Sequence, residues 1–342
     1  MNIQKNSYIW PVNSHPHLCH SFFLICFLLI LAITSACNTD SRPIVFISER
    51  GGIVDIYSAP PNGDSDTNLT NNSEIESSPI LSPNGKLIAF QSGTGNNATV
   101  EVMAVDGIER RRVSKGTGTI LDHQWAPGSE RIAYVMIQDE IPVTHIVKID
   151  GSEHVKLTSI STESSGDWSQ DGNSLVFAVS SGENRGLWIR NPDGVNEIQV
   201  TETPDYNPRW APNSKRIAFL STRDGNPEIY VMNADGTEPQ KLTETDAPEY
   251  DLSWSPNGKR ILYVSERDGN PEIYVTKVST LEHNRLTFNN ARDDQPAWSP
   301  DGTKITFVSY LDDDSEIFVI TAEGDPYVRL TNNDYEESDP SW

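Results

Sequence analysis

Ser221-Thr222-Arg223-Asp224-Gly225-Asn226-Pro227-Glu228-Ile229-Tyr230 has a near copy in Ser265-Glu266-Arg267-Asp268-Gly269-Asn270-Pro271-Glu272-Ile273-Tyr274. Working outward from this pair, a phrase recurs roughly every 43 residues: a tryptophan, a Ser-Pro-Asp/Asn-Gly-type turn, and a strand with an aromatic nine positions after the tryptophan. Trp125/Tyr134, Trp168/Phe177, Trp210/Phe219, Trp254/Tyr263 and Trp298/Phe307 keep that offset, and Leu81/Phe90 keeps it with leucine in the tryptophan position. Phe46 has no tryptophan before it, and Trp342 has no strand after it. The two ends complete each other. A period of this length made of short strands indicates a β-propeller blade.

Each repeat parses into four strands, A to D. Strand A runs up to the tryptophan; a turn such as Ser255-Pro256-Asn257-Gly258 leads into strand B; strand C follows a loop, as in Glu272-Ile273-Tyr274-Val275. A second tight turn such as Asp235-Gly236 leads into strand D, with glycine supplying the positive φ that hairpins of this kind need. Strand D ends in Leu-Thr or its equivalent seven times, at Leu69, Val113, Leu157, Val200, Leu242, Leu286 and Leu330. Seven blades are therefore expected. Blade 1 lacks its own strand A, and Ser338-Asp339-Pro340-Ser341-Trp342 matches the segment that precedes every other turn. The expectation is an all-β, seven-bladed propeller over residues 43–342, four antiparallel strands per blade, closed by a C-terminal strand that joins blade 1 and removes the free edges of an open array.

The first 36 residues differ in kind. Phe22 to Ile33 is a short apolar run, the length of a signal-peptide core rather than a membrane span, and Thr34-Ser35-Ala36-Cys37 follows it. Small residues before a cysteine resemble the bacterial lipobox. That resemblance implies a signal peptide over residues 1–36, a lipidated Cys37, and a short tether through residue 42. Cys19, Cys26 and Cys37 all precede the repeats, so no disulfide framework exists in the propeller. Without Lys5, the one charged residue of the leader, 49 acidic residues face 25 basic ones and the net charge becomes −24. Nucleic acid is disfavoured as a partner. Basic protein surfaces and cations remain.

The repeats resemble those of the TolB family, the periplasmic component of the Tol-Pal system, on the Ser-x-Arg-Asp-Gly-Asn-Pro-Glu-Ile-Tyr segments at Ser221 and Ser265 and the tryptophan-led turns. The resemblance implies a WD-like propeller in the bacterial cell envelope. TolB proteins add an N-terminal α/β domain and have six blades, whereas here the repeats start a few residues past Cys37 and number seven.

No catalytic constellation is legible. His145 falls in a strand C, His154 and His283 near C-to-D connections of different blades, and His123 alone near the axis, and no Gly-x-Ser-x-Gly elbow is present. These histidines read as satisfied or solvated. Asp312-Asp313-Asp314, with Glu316 nearby, lacks calcium-loop spacing and reads as a solvated B-to-C loop. The Arg223 and Arg267 stretches read as scaffold. A non-enzyme with no cofactor is expected, a divalent cation at the channel mouth being the one addition the acids would admit.

One position stands out when the repeats are aligned on the tryptophan. Three residues before it stand Ser78, Asp122, Ser165, Asn207, Asp251, Gln295 and Asp339, polar in all seven repeats. Just upstream lie Glu76, Glu163, Asp205, Tyr206, Glu249, Tyr250, Asp293, Asp294, Glu336 and Glu337. These D-to-A crossings enter the innermost strands, so they should crowd one mouth of an axial channel and make it acidic. Asp122, Asp251, Asp294, Glu337, Asp339, Tyr206 and Tyr250 are the candidate partner-binding residues. The expected function is a non-catalytic, lipid-anchored, monomeric propeller that binds a protein or peptide, of basic character, at this mouth. A carbohydrate-active enzyme or carbohydrate-binding protein using the same channel is the alternative.

Overall fold

Strand B of each repeat is apolar on both faces, as in Arg216–Ser221, where every residue after Arg216 is buried. Such a strand needs cover on both sides. The computed structural model, which describes residues 42–157, 164, 166–180, 182–311 and 314–342, supplies that cover with neighbouring blades. Among the described residues are seven four-stranded sheets, each antiparallel and, in six of them, made of four strands consecutive in sequence. The seventh combines Ile44–Arg50, Ile53–Ala59 and Thr67–Asn68 with Glu336–Ser341. There Val45 pairs with Ser341 and Ser48 with Glu337. The closure expected from Trp342 is the one observed. Leader, Cys37 and the tether up to residue 41 lie outside the described residues.

The core is seven thin layers, one at each blade interface. Trp254, for example, packs with Ala218, Leu220, Ile229 and Val231 of the preceding blade and with Ile261 and Tyr263 of its own. Trp125, Trp168, Trp210 and Trp298 occupy the same place in their layers, and Leu81 substitutes between blades 1 and 2. Trp342 fills the layer between blades 7 and 1, beside Ile44, Phe46, Val308 and Leu330. The aromatic nine residues later stacks on the cross-strand residue of strand C: Phe46 on Tyr57, Phe219 on Tyr230, Tyr263 on Tyr274, Phe307 on Phe318. Turn glycines allow blades to approach. A Cβ on Gly236, at φ 85°, would stand 2.5 Å from the Val200 carbonyl of the neighbouring blade.

Candidate functional site

Blades 2, 5, 6, 7 and 1 enter the axis through strands A at Glu76–Leu81, Asp205–Trp210, Glu249–Trp254, Asp293–Trp298 and Glu336–Ser341. In each, the ladder to strand B slips at a β-bulge. The residue at the bulge is the polar one three before the tryptophan position, and it is left-handed: Ser78 (φ 51°), Asn207 (49°), Asp251 (51°), Gln295 (52°), Asp339 (50°). Short polar side chains tolerate this conformation best, so the polarity has a backbone cause. It also has a geometric consequence. The five residues converge on one axial cavity of about 490 Å³, together with Arg209 and Ser253.

Hydrogen bonds run from blade to blade around this cavity. The Asp339 N–H donates to Gln295 Oε1 at 2.7 Å, the Gln295 N–H to the Asp251 carboxylate, and the Ser78 N–H to the Asp339 carboxylate. The bulges of blades 7, 1 and 2 thus each bond the side chain of the blade before. Asp251 and Asp339 are both pushed above the usual carboxylate range by enclosure; Asp294 adds to the effect on Asp251, and Arg209 opposes it. The cavity carries two carboxylates and one guanidinium. It is polar and mildly acidic rather than uniformly anionic.

The remaining candidates fall elsewhere. Asp122 is half-buried in blade 3, does not line this cavity, and accepts a hydrogen bond from Ser164 Oγ at 3.1 Å. Blade 3 has Ile120 where the other strands A have an acid, and Asp122 is not left-handed. Ser165 and Glu163 lie outside the described residues. Tyr206 and Tyr250 are half-buried and pack into the layers between blades 5 and 6 and between blades 6 and 7. Asp294 is buried and bonded to Arg292.

The acids expected at a solvated mouth are corrected most sharply. Glu76, Asp205, Glu249, Asp293 and Glu337 are all buried. Each stands opposite a serine that ends strand B: Ser92, Ser221, Ser265, Ser309 and Ser48. In blades 1, 5 and 6 an arginine two residues past that serine completes a clamp. Arg223 donates to Ser221 Oγ (2.8 Å) and Asp205 (2.9 Å), and Arg267 to Ser265 Oγ (2.8 Å) and Glu249 (3.1 Å). Arg50 donates to Ser48 Oγ (2.9 Å) and lies 3.6 Å from Glu337. In blade 2, Arg110, just before strand D, reaches Glu76 and Ser92 instead. The scaffold reading of Arg223 and Arg267 holds. These carboxylates tie the inner strand to the rest of its own blade; they are not a rim.

A second buried acid opens strand C: Glu228, Glu272 and Glu316. Across successive interfaces it meets the first acid of the next blade. Burial, with Glu228 beside it, raises Glu249 to about 7, opposed by Ser265 and Thr245. Glu337 is likewise pushed up to about 7 by burial and Glu316, against Asn333, Arg50 and Ser48. Asp293 rises to about 6 from burial, with Glu272 adding to it. Glu316, grouped by sequence with the Asp312–Asp314 loop, belongs to this clamp and is bonded to Arg329 and Asn333. Asp312 and Asp313 lie outside the described residues.

Three histidines are absorbed by packing. His154 Nε2 bonds Tyr134 Oη at 2.8 Å, His145 stacks on Tyr134, and His283 Nδ1 bonds Tyr263 Oη and Thr276 Oγ1. His123 is buried in strand A of blade 3. Among the described residues, no group of three or more His, Cys, Asp or Glu side chains is arranged to hold a metal ion.

Fold and site together define a closed seven-bladed propeller whose axial cavity is built by the bulged inner strands of five blades. A family model described as the TolB beta propeller domain matches residues 203–296. The chain is 26% identical over 220 residues to the Protein TolB homolog of Chlorobium luteolum, covering 63% of this chain and 39% of that protein. It is 26% identical over 163 residues to the Tol-Pal system protein TolB of Bordetella pertussis, covering 44% of this chain and 35% of that one. The match thus spans well under half the length of these curated relatives. TolB from Acinetobacter baumannii superposes with a TM-score of 0.60 at 18% identity, over 87% of this chain and 82% of that one. An oligogalacturonate lyase in complex with manganese superposes at 0.63 with 13% identity, over 85% of both. Both structural likenesses are of fold alone. The repeats are similar to those of the TolB β-propeller domain.

Proposed function

We propose that this protein is a non-catalytic, lipid-anchored propeller of the bacterial cell envelope that binds a protein or peptide segment at its axial cavity. The observation that carries the proposal is the convergence of Ser78, Asn207, Asp251, Gln295 and Asp339 on one concave site. A run of backbone N–H to side-chain hydrogen bonds linking blades 6, 7, 1 and 2 holds Asp251, Gln295 and Asp339 before any partner arrives, and preorganisation of that kind reduces the cost of binding. The names of the relatives, which place TolB proteins in the Tol-Pal system, support a protein partner over a sugar. The chain's acid surplus favours a partner segment with basic residues.

The test is capture from envelope extract by the wild-type protein, compared with an Asp251→Asn, Asp339→Asn variant and an Asp235→Asn, Asp301→Asn variant. Asp235 and Asp301 sit in turns at the other end of the strands and remove the same formal charge. The axial pair should lose at least tenfold in recovered partner, with the fold intact by circular dichroism, while the turn pair should lose little. Equal losses would assign the effect to net charge. For the anchor, Cys37→Ser should abolish incorporation of labelled fatty acid and move the protein from the detergent phase to the aqueous phase. A wild-type chain that takes up no label would remove the lipid anchor from the proposal.

A further inference from the structure

Blade 7 breaks the clamp that its neighbours share. Its strand B ends at Ser309 and is followed by Tyr310-Leu311, so leucine stands where blades 1, 5 and 6 have Arg50, Arg223 and Arg267. In those three blades the guanidinium covers the strand C aromatic, at 3.9 Å from the Tyr57 centroid and 4.6 Å from those of Tyr230 and Tyr274. It also donates to the serine hydroxyl and reaches the first acid of strand A. The corresponding groups in blade 7 are Phe318, Ser309 and Asp293, and all three are buried. Asp293 Oδ2 accepts from Asn289 Nδ2 at 2.7 Å, while Ser309 Oγ and Asp293 Oδ1, which face each other across the strand pair, complete no hydrogen bond. Asp293 has no cationic partner among the described residues. Where the arginine would be, there is a cavity of about 270 Å³.

We infer that this cavity is a receptor for an arginine side chain supplied by a partner protein. Ser309, Phe307 and Phe318 line it, and Asp325 adds a carboxylate at the opening. Its lips, Phe288 and Tyr327, are 72% and 57% exposed, apolar surface of the kind that marks an interaction site. Tyr327 pairs with Ile320 as His283 pairs with Thr276 in blade 6, where the histidine bonds that threonine; the tyrosine ring rests 5.9 Å from that of Phe318 and stays largely exposed. The volume falls below the usual small-molecule range and suits one long side chain. A guanidinium fits the lining at once: a planar cation for the aromatic rings, donors for the Ser309 hydroxyl and the Asp325 carboxylate, and an aliphatic stem for the apolar wall. Two arginines border these rings from outside and are engaged there: Arg285, 5.0 Å from the Phe288 centroid, is bonded to Glu272, and Arg329, 5.9 Å from the Phe318 centroid, to Glu316. The same molecule shows the filled form of this site three times.

The test uses the full chain and three capped probes, N-acetyl-arginine amide, N-acetyl-lysine amide and N-acetyl-leucine amide, titrated by NMR. The arginine probe should bind saturably and at least tenfold more tightly than the other two. Leu311→Arg, which restores the internal guanidinium, should weaken the arginine probe at least tenfold and raise the melting temperature. Should Leu311→Arg fail to fold, Ser309→Ala supplies the second reading, with an expected loss of about tenfold or more, as for one hydrogen bond to a charged group. Equal binding of arginine and lysine, a preference for leucine, absence of saturable binding, or indifference to both substitutions would overturn the inference. So would a dimer in sedimentation that Leu311→Arg dissolves, since the occupant would then be a second copy.

Discussion

Deletion of Asp339 to Trp342 is expected to lower the melting temperature by about 10 °C or more and to leave blades 1 and 7 open to proteolysis. Four kinds of contact go with these residues. The Val45–Ser341 ladder pair is lost, Leu81 N–H loses Ser341 Oγ at 3.1 Å, and Gln295 loses the Asp339 N–H. The indole of Trp342 leaves the layer between blades 7 and 1. Removing a large aromatic from a packed layer costs about 3–5 kcal/mol, and a few degrees per kcal/mol is the scale for a domain of this order. The layer also becomes an exposed edge. Differential scanning calorimetry decides it: an unchanged transition would mean that the ring does not depend on this strand.

The second large effect is on pH. Glu249 and Glu337 at about 7 and Asp293 at about 6 bind protons more tightly folded than unfolded. Their stabilising contribution is therefore complete below the ordinary carboxylate range and is lost as pH rises from there through 6 and 7. The protein should be more stable at pH 5.5 than at pH 8, by an amount on the order of a few kcal/mol, since each tenfold difference in proton affinity between the folded and unfolded chain is worth about 1.4 kcal/mol. Self-repulsion of the acidic chain has the same sign, so a variant separates the two causes. Glu249→Gln with Glu337→Gln keeps the surface charge and removes the buried titration, and should flatten the slope between pH 5.5 and 8. Urea unfolding at both pH values measures it; an unchanged slope in the variant would assign the effect to the surface.

The fold was readable because tryptophan, turn and strand recur at fixed offsets, and each offset has one mechanical job in the blade layer. Closure was readable for the same reason, from the tryptophan that has no strand after it. The polar position before the tryptophan was readable as a ring, and five of its members do meet at the axis; its left-handed backbone was not, because one polar residue fits a rim or a bulge equally well. The acids upstream were misplaced for a specific reason. Carboxylates in crossing loops resemble solvated residues until their partners are seen, and those partners lie at the far end of strand B. A signal was present: Glu76, Asp205, Glu249, Asp293 and Glu337 each share a repeat with a serine at the end of strand B. Asp122 stood apart for want of such an acid, with Ile120 in its place. Leu311 was invisible as a departure until the arginines at Arg50, Arg223 and Arg267 were seen to share one position in the clamp.

The measurement that bears most directly on the central claim is site-specific photocrosslinking in intact cells. A benzophenone side chain at Ser253 lines the axial cavity, and one at Asp235 lies in a turn at the other end of the strands. An adduct with a protein partner should form from Ser253 and not from Asp235. Adducts from Asp235 alone, or none from Ser253, would contradict the assignment of the axial cavity as the partner-binding site.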